Sequence, residues 1–173
     1  MDSRKRDLIL HQAQKIFFRA LLAGYAGKGA KKDPRLTTEV SVFGFVKTNT
    51  YRDGDFTVID SWVVSDHSTA SSGRTIVLFE EVPIWVMTYS GSYPENVIHF
   101  LKEALSAQYK ASDFRGGRGP GFFKSENGNF AYRNNAYANG NSNFSLFSGR
   151  EEIIDIKTRS VVGFHEYSGM SML

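Results

Sequence analysis

Ser72-Gly73-Arg74 followed by Tyr89-Ser90-Gly91 returns in the same order as Ser148-Gly149-Arg150 followed by Tyr167-Ser168-Gly169, at offsets of 76 and 78 residues. A third echo precedes these two. Asp53-Gly54-Asp55-Phe56 is answered by Glu126-Asn127-Gly128-Asn129-Phe130, whose glycine lies 74 residues after Gly54. Short matches that recur in one order indicate an internal duplication, with repeats over about residues 7–93 and 94–173 of a single domain spanning 1–173.

Working outward from these motifs, each repeat opens with a helical pattern. Ile9, Ala13, Ile16, Phe17, Ala20 and Leu21 form one stripe of 3.6 period, and Val97, Phe100, Leu101, Ala104 and Leu105 form another. The second helix is expected to start at Ser92 or Tyr93, with Pro94 at its first position and Glu95 in the first turn, where the helix dipole favours an anion. Strand-like runs follow both helices: residues 56–59, 75–79 and 84–87 in the first repeat, and 130–132, 152–154 and 161–165 in the second. Asp-Gly, Asn-Gly and Ser-Gly pairs between the runs suit antiparallel hairpins. The fold class expected is α+β: a duplicated helix-plus-antiparallel-sheet unit with pseudo-twofold symmetry, each helix covering the apolar face of a sheet, an arrangement that also allows the halves to share one continuous sheet.

Composition narrows the class of protein. A chain of 173 residues can bury one sizeable core. With no cysteine it has no disulfide, no thiolate metal site and no cysteine nucleophile. The apolar runs are broken before membrane-spanning length, and His11, Gln12, Gln14 and Lys15 interrupt what would be the core of an export signal. A cytoplasmic protein with no membrane partner is expected, in the host cytoplasm if a phage encodes it. The net charge of +3 is spread among interspersed acids and bases, so direct nucleic-acid binding is not expected.

Tyr25-Ala26-Gly27-Lys28-Gly29, the run from Asp53-Gly54-Asp55-Phe56 to Asp60-Ser61, and the run from Pro83-Ile84-Trp85-Val86-Met87 to Gly91 are distinctive. Together with Phe100-Leu101-Lys102-Glu103-Ala104-Leu105, Phe114-Arg115-Gly116 and the run from Phe147-Ser148-Gly149 to Ile153, they resemble a bacterial domain-of-unknown-function family, from about Ile16 onward. Members of that family stand alone or behind a helix-turn-helix domain, which implies a module that senses an effector. This chain departs from the pattern in a long segment from Leu36 to Tyr51 and in the many Asn residues of its second half. The resemblance implies fold and extent and brings no activity with it.

Two glycine-rich basic loops follow the helices: Ala26-Gly27-Lys28-Gly29-Ala30-Lys31-Lys32-Asp33-Pro34-Arg35, and Arg115-Gly116-Gly117-Arg118-Gly119-Pro120-Gly121. Glycines let backbone N–H groups approach a phosphate and the cations add charge. The same residues also cap helix ends and offset the dipole there, and neither loop is a P-loop or a dinucleotide fingerprint. Among the aromatics, Trp62 beside Asp60 and Ser61 is open to stacking on a flat ligand, whereas Trp85 alternates with Ile84 and Val86 as a core residue does.

The adjacent carboxylates Glu80-Glu81 and Glu151-Glu152 read as solvated or ion-paired with Arg74 and Arg150, since neighbours in a strand point to opposite faces. The histidines lack metal-binding spacing, and His165 beside Glu166 is the one in a suggestive segment. There is no Gly-x-Ser-x-Gly elbow. The candidate ligand-binding set is therefore Lys28, Lys31 and Arg35 from the first loop, Arg115 and Arg118 from the second, and Asp60, Trp62, Arg74, Tyr89, Arg150 and His165 from the strands. No catalytic residue, metal site or cofactor is assigned.

The function expected is non-catalytic binding of a small anionic, nucleotide-derived ligand by a homodimer or larger assembly, as a sensor or as a sequestering protein of the kind a phage could use against host signalling. A phosphate-ester hydrolase or transferase using Glu80 or Glu151 is one alternative, and a protein-interaction module or inhibitor is another.

Overall fold

The computed structural model describes residues 2–27, 33–42, 44–136 and 143–173. Helix α1 (Ser3–Ala23) forms where the first stripe predicts it. Its start is fixed by the Asp2 side chain accepting from the Lys5 N–H at 2.8 Å, and it stops at Gly24. Helix α2 (Glu95–Ala111) carries the second stripe. Pro94 is its cap residue rather than its first helical position, and it ends at Ser112, whose φ of 53° lies in the left-handed region.

The strands are β1 (Leu36–Val40), β2 (Val46–Asp53), β3 (Phe56–Val64), β4 (Ala70–Phe79), β5 (Val82–Ser92), β6 (Phe122–Lys124), β7 (Phe130–Ala136), β8 (Leu146–Asp155) and β9 (Val161–Ser171). All neighbours are antiparallel, and the order across the sheet is β1-β2-β3-β4-β5-β9-β8-β7-β6. This corrects the expected fold class. The molecule is not a pair of helix-plus-sheet units but one nine-stranded antiparallel sheet that dominates the structure, with two helices laid on it. The physical reason is the seam. Strands β5 and β9 pair directly from Trp85↔Ser171 to Ser92↔Phe164, which satisfies two rows of backbone groups that separate sheets would leave as open edges.

The long segment from Leu36 to Tyr51 is explained by β1 and most of β2, which extend one end of the sheet. Gly54 and Gly128 turn the β2–β3 and β6–β7 hairpins with φ of 60° and 71°, as the Asp-Gly and Asn-Gly pairs predict. The β4–β5 hairpin is turned by Glu80 and Glu81 themselves, at φ of 50° and 63°. They are turn residues, not neighbours on a strand.

Side chains alternate across the sheet, and both helices cover the same face. Tyr51, Val58, Val77, Trp85, Met87, Tyr132 and Ile153 join Phe17, Phe18, Leu101, Leu105 and Tyr109 of the helices in one buried cluster. At its centre Trp85 stacks on Phe144 at 4.6 Å and meets the edge of Phe17 at 5.0 Å, and its indole N–H donates to the Phe144 carbonyl at 2.7 Å. Trp85 is thus the core residue its alternation predicts.

The motifs that opened the sequence reading have a steric cause. Gly73 faces Tyr89 across β4–β5, and Gly149 faces Tyr167 across β8–β9. A Cβ at Gly73 would lie 2.5 Å from the Tyr89 ring, and one at Gly149 would lie 2.3 Å from the Tyr167 hydroxyl. Each tyrosine can lie flat across its neighbouring strand only because that strand carries no side chain there.

Candidate ligand-binding cavity

Strand β3 places Asp60 and Trp62 on the helix-covered face, β5 places Tyr89 there, and β9 adds His165 beside them. The end of α1 stands off from these strands at Leu21, Gly24 and Tyr25, and a cavity of about 790 Å³ opens between. Its floor is the buried set Asp60, Tyr89, Tyr93, Tyr109, Arg118 and His165. Tyr25 and Trp62 form one wall, meeting edge to face at 5.7 Å. Exposed Lys47, Asp66 and Glu95 and half-buried Lys102 stand toward the mouth, with the Lys102 ammonium 4.8 Å from the centre of the Tyr25 ring. A volume of this size is within the range that encloses a nucleotide-sized molecule.

Two polar clusters share the floor. In the first, Asp60 Oδ1 accepts from Thr75 Oγ1 at 2.9 Å and from the Tyr89 hydroxyl at 3.1 Å. Burial pushes the Asp60 carboxyl above its ordinary value, and the two hydrogen bonds pull the other way. Burial, reinforced by the Asp60 charge, raises the Tyr89 phenol well above its own.

In the second cluster Arg118 donates to Glu151 Oε1 through Nε at 2.9 Å and through Nη2, and the Tyr132 hydroxyl donates to Glu151 Oε2 at 2.5 Å. Burial opposes ionisation of Glu151, but Arg118 and His165 together outweigh it and hold the carboxyl down at about 2. His165 Nδ1 lies 3.2 Å from Arg118 Nη2 and 3.3 Å from Glu151 Oε1, and its Nε2 lies 3.0 Å from Ser71 Oγ, with the tautomer setting which of these bonds it donates. Burial lowers the His165 pKa, and the hydrogen bond with Glu151 pulls the other way. The Arg118 guanidinium lies 5.1 Å from the Tyr89 ring and joins the two clusters.

Of the residues singled out in the sequence, Asp60, Trp62, Tyr89, Arg118 and His165 come together around this cavity. Arg35 instead pairs with Asp33 and Asp53 at 2.9 and 3.2 Å, and Arg115 pairs with Asp113 at 3.0 Å. Arg74 is exposed on the bare face of the sheet, and on that face Arg150 pairs with Glu152 at 2.7 Å and Glu166 at 2.9 Å. None of these four arginines lines the cavity. Lys28 and Lys31 lie outside the described residues, although Gly27, just before them, is part of the lining. The second basic loop is therefore split, with Arg118 turned into the protein and Arg115 turned away.

Sequence reasoning missed Tyr25, Tyr93, Lys47 and Lys102. The signal for Tyr25 was its place just after the first helical stripe, and for Tyr93 its place just before the second. Among the described residues no group of three or more His, Asp or Glu is placed to hold a metal ion, and no helix is long and apolar enough to cross a membrane.

A family model described as Domain of unknown function (DUF5680) matches residues 60–171. The chain belongs to the DUF5680 family. The matched region begins at Asp60 and takes in Tyr89, Tyr93, Tyr109, Arg118 and His165, so the whole cavity floor lies within the DUF5680 domain, while α1, β1 and β2 precede it. No curated protein and no solved structure matches the chain.

Proposed function

We propose that this chain is a non-catalytic binding protein for a small nucleotide-derived ligand, held with its flat base in the cavity and its phosphate toward the mouth. The observation that carries this reading is the cavity itself: about 790 Å³, walled by Tyr25 and Trp62, with Lys47 and Lys102 outward of a buried carboxyl. Aromatic walls stack on a base, and ammonium groups at the rim offer charge-assisted hydrogen bonds to phosphate. Formal charges in the lining balance, with Lys47, Lys102 and Arg118 against Asp60, Asp66 and Glu95. The polyanionic end of the ligand accordingly belongs at the lysines and not at the floor.

The hydrolase alternative loses its groups. Glu80 turns a hairpin, Glu151 is locked to Arg118, and neither lines the cavity. A sensing or sequestering role in a bacterial cytoplasm, or in one that a phage has entered, fits a receptor without catalytic groups. Pairing through the edge strands β1 and β6 is the route we propose to a homodimer or larger assembly. A carboxyl among aromatic rings also suits an organic ammonium, and this second reading is tested alongside.

A thermal-shift screen of nucleotides, sugar phosphates and quaternary amines is the experiment. A ligand present at a hundred times its Kd stabilises the fold by about 2.7 kcal/mol. The ligand should be recovered intact, and Lys47→Ala or Lys102→Ala should each weaken it by about 1.5–3 kcal/mol, the worth of a hydrogen bond to a charged group. A screen in which only amines shift the melting curve would replace the nucleotide reading with the second one.

A further inference from the structure

The floor of the cavity carries hydrogen-bonding capacity that the chain does not use. Asp60 is buried, yet both of its hydrogen bonds fall on Oδ1, and among the described residues no donor reaches Oδ2. The nearest buried cation, Arg118, is engaged by Glu151 and His165. Oδ2 is left open to the cavity that Asp60 lines, so a molecule inside it can supply the donor that the chain does not. Along the same floor the Tyr93 ring stands 4.7 Å from that of His165, which in turn lies 5.5 Å from the Tyr89 ring, while the Tyr93 hydroxyl is buried beside Glu151 and not open to the cavity. The floor thus offers an unfilled acceptor at Asp60 and the aromatic surface of Tyr89 and Tyr93 beside it.

We propose that Asp60 selects the base, taking N–H donors from a purine lactam edge of the guanine type. This rests on the nucleotide reading above and deepens it. Guanine presents a ring N–H and an exocyclic NH₂ side by side with a carbonyl. Hypoxanthine keeps the ring N–H and the carbonyl but lacks the amino group. Adenine has a bare ring nitrogen where the ring N–H would be, and that lone pair would face the carboxylate oxygen. A site built around such donors rejects the analogue that lacks them more strongly than an apolar pocket rejects a change of size.

The test is calorimetric titration of the full chain with guanosine, inosine, adenosine and xanthosine 5′-monophosphates. Guanosine monophosphate should bind tightest, with adenosine monophosphate weaker by about tenfold or more and inosine monophosphate between them. Asp60→Asn turns an acceptor into a donor, so it should lose guanosine monophosphate by a similar factor and bind xanthosine monophosphate, which has a carbonyl in place of the amino group, more tightly than guanosine monophosphate. A reversed order of preference cannot come from a damaged fold. The order of preference of the wild-type protein, guanosine over inosine over adenosine monophosphate, keeps the role of Asp60 testable if Asp60→Asn does not fold. Equal affinity for guanosine and adenosine monophosphates, still reduced by Lys102→Ala, would overturn the role of Asp60 and leave the nucleotide reading standing. Failure of all four nucleotides to bind would remove both.

Discussion

Tyr89 and Tyr167 stand opposite one another in the β5–β9 seam, and their surroundings begin alike. Each ring lies over a glycine, and each hydroxyl donates to a side chain two strands away, Tyr89 to Asp60 at 3.1 Å and Tyr167 to Asn134 at 2.6 Å. What covers them differs. Over Tyr167 the loop of residues 113–121 closes down, so that Gly116 touches its ring and Asn134 Nδ2 donates to the carbonyls of Arg115 and Gly119 at 3.0 and 2.8 Å. Over Tyr89 the end of α1 stands back and leaves the cavity. Where the chain covers its own floor, the residue at that place is an amide whose acceptor and donors are both satisfied from within. Where it does not, the residue is an acid with an oxygen left over. The contrast is between a polar group completed by the chain and one that opens on a cavity, which is the place the proposed ligand would fill.

The covered side should break most severely. Glu151→Ala leaves the Arg118 guanidinium buried without its partner and should cost about 3–5 kcal/mol in urea unfolding, whereas Arg118→Met with Glu151→Leu should recover much of that loss. The wild-type protein should also weaken in acid on this account. With its folded pKa held down at about 2, Glu151 contributes stability that is fully present above its ordinary value of 4.5 and is lost as pH falls from there toward 2.

The glycines sharpen the comparison next. Gly149→Ala forces a methyl group against the Tyr167 hydroxyl and the Asn135 carbonyl in packed surroundings, and should cost about 1–3 kcal/mol. Gly73→Ala meets the Tyr89 ring in the same way, but that ring has the cavity to move into. Its loss should be smaller by chemical denaturation. Equal losses would mean that the open side is as rigid as the closed one.

On the open side the expected sign is reversed. The folded pKa of Asp60 is raised, so keeping it ionised costs stability above that pKa, and the cost disappears as pH falls through it. Asp60→Asn retains the acceptor for Thr75 and Tyr89 and removes the charge. It should stabilise the empty protein by about 0.5–2 kcal/mol, as relief of a strained functional group commonly does. In a melting experiment that is a rise of about 2–4 °C per kcal/mol for a chain of this size. A lower Tm would count against the carboxyl being held for a ligand. Smallest of all should be Arg115→Ala, whose side chain pairs with Asp113 in solvent: within about 0.5 kcal/mol in stability and no change in nucleotide affinity.

Local chemistry was readable in the sequence, and long-range pairing was not. All the residues of the two helical stripes are buried, and the Asp-Gly and Asn-Gly hairpins turn where expected, because period and turn type are set within a few residues. The β5–β9 seam joins segments separated by most of the second half of the chain, and no spacing in the sequence announces it. That is why the sequence points to two helix-plus-sheet units and leaves a shared sheet open, where one nine-stranded sheet dominates the fold. The candidate site divides in the same way. Asp60 and Trp62 stood out through their adjacency, but the fate of Arg118 depended on Glu151, which the adjacent pair with Glu152 made look solvated. Lys47 and Lys102 gave no signal, since a lysine on a strand or on an amphipathic helix is ordinarily a solvated one.

Strand β9 is last among the nine in chain order, yet it lies between β5 and β8 in the sheet. During synthesis β1 to β5 and β6 to β8 can form hairpins as they emerge, while the seam that unites them waits for β9. Until then β5 and β8 each expose an unpaired row of backbone groups, and the helix-covered core lacks Tyr167 and His165. Closing such distant pairs is slow because the entropy of the intervening chain is lost before the contacts form. Folding of this molecule should accordingly have a late, concerted step in which the sheet, its core and the cavity floor are completed together.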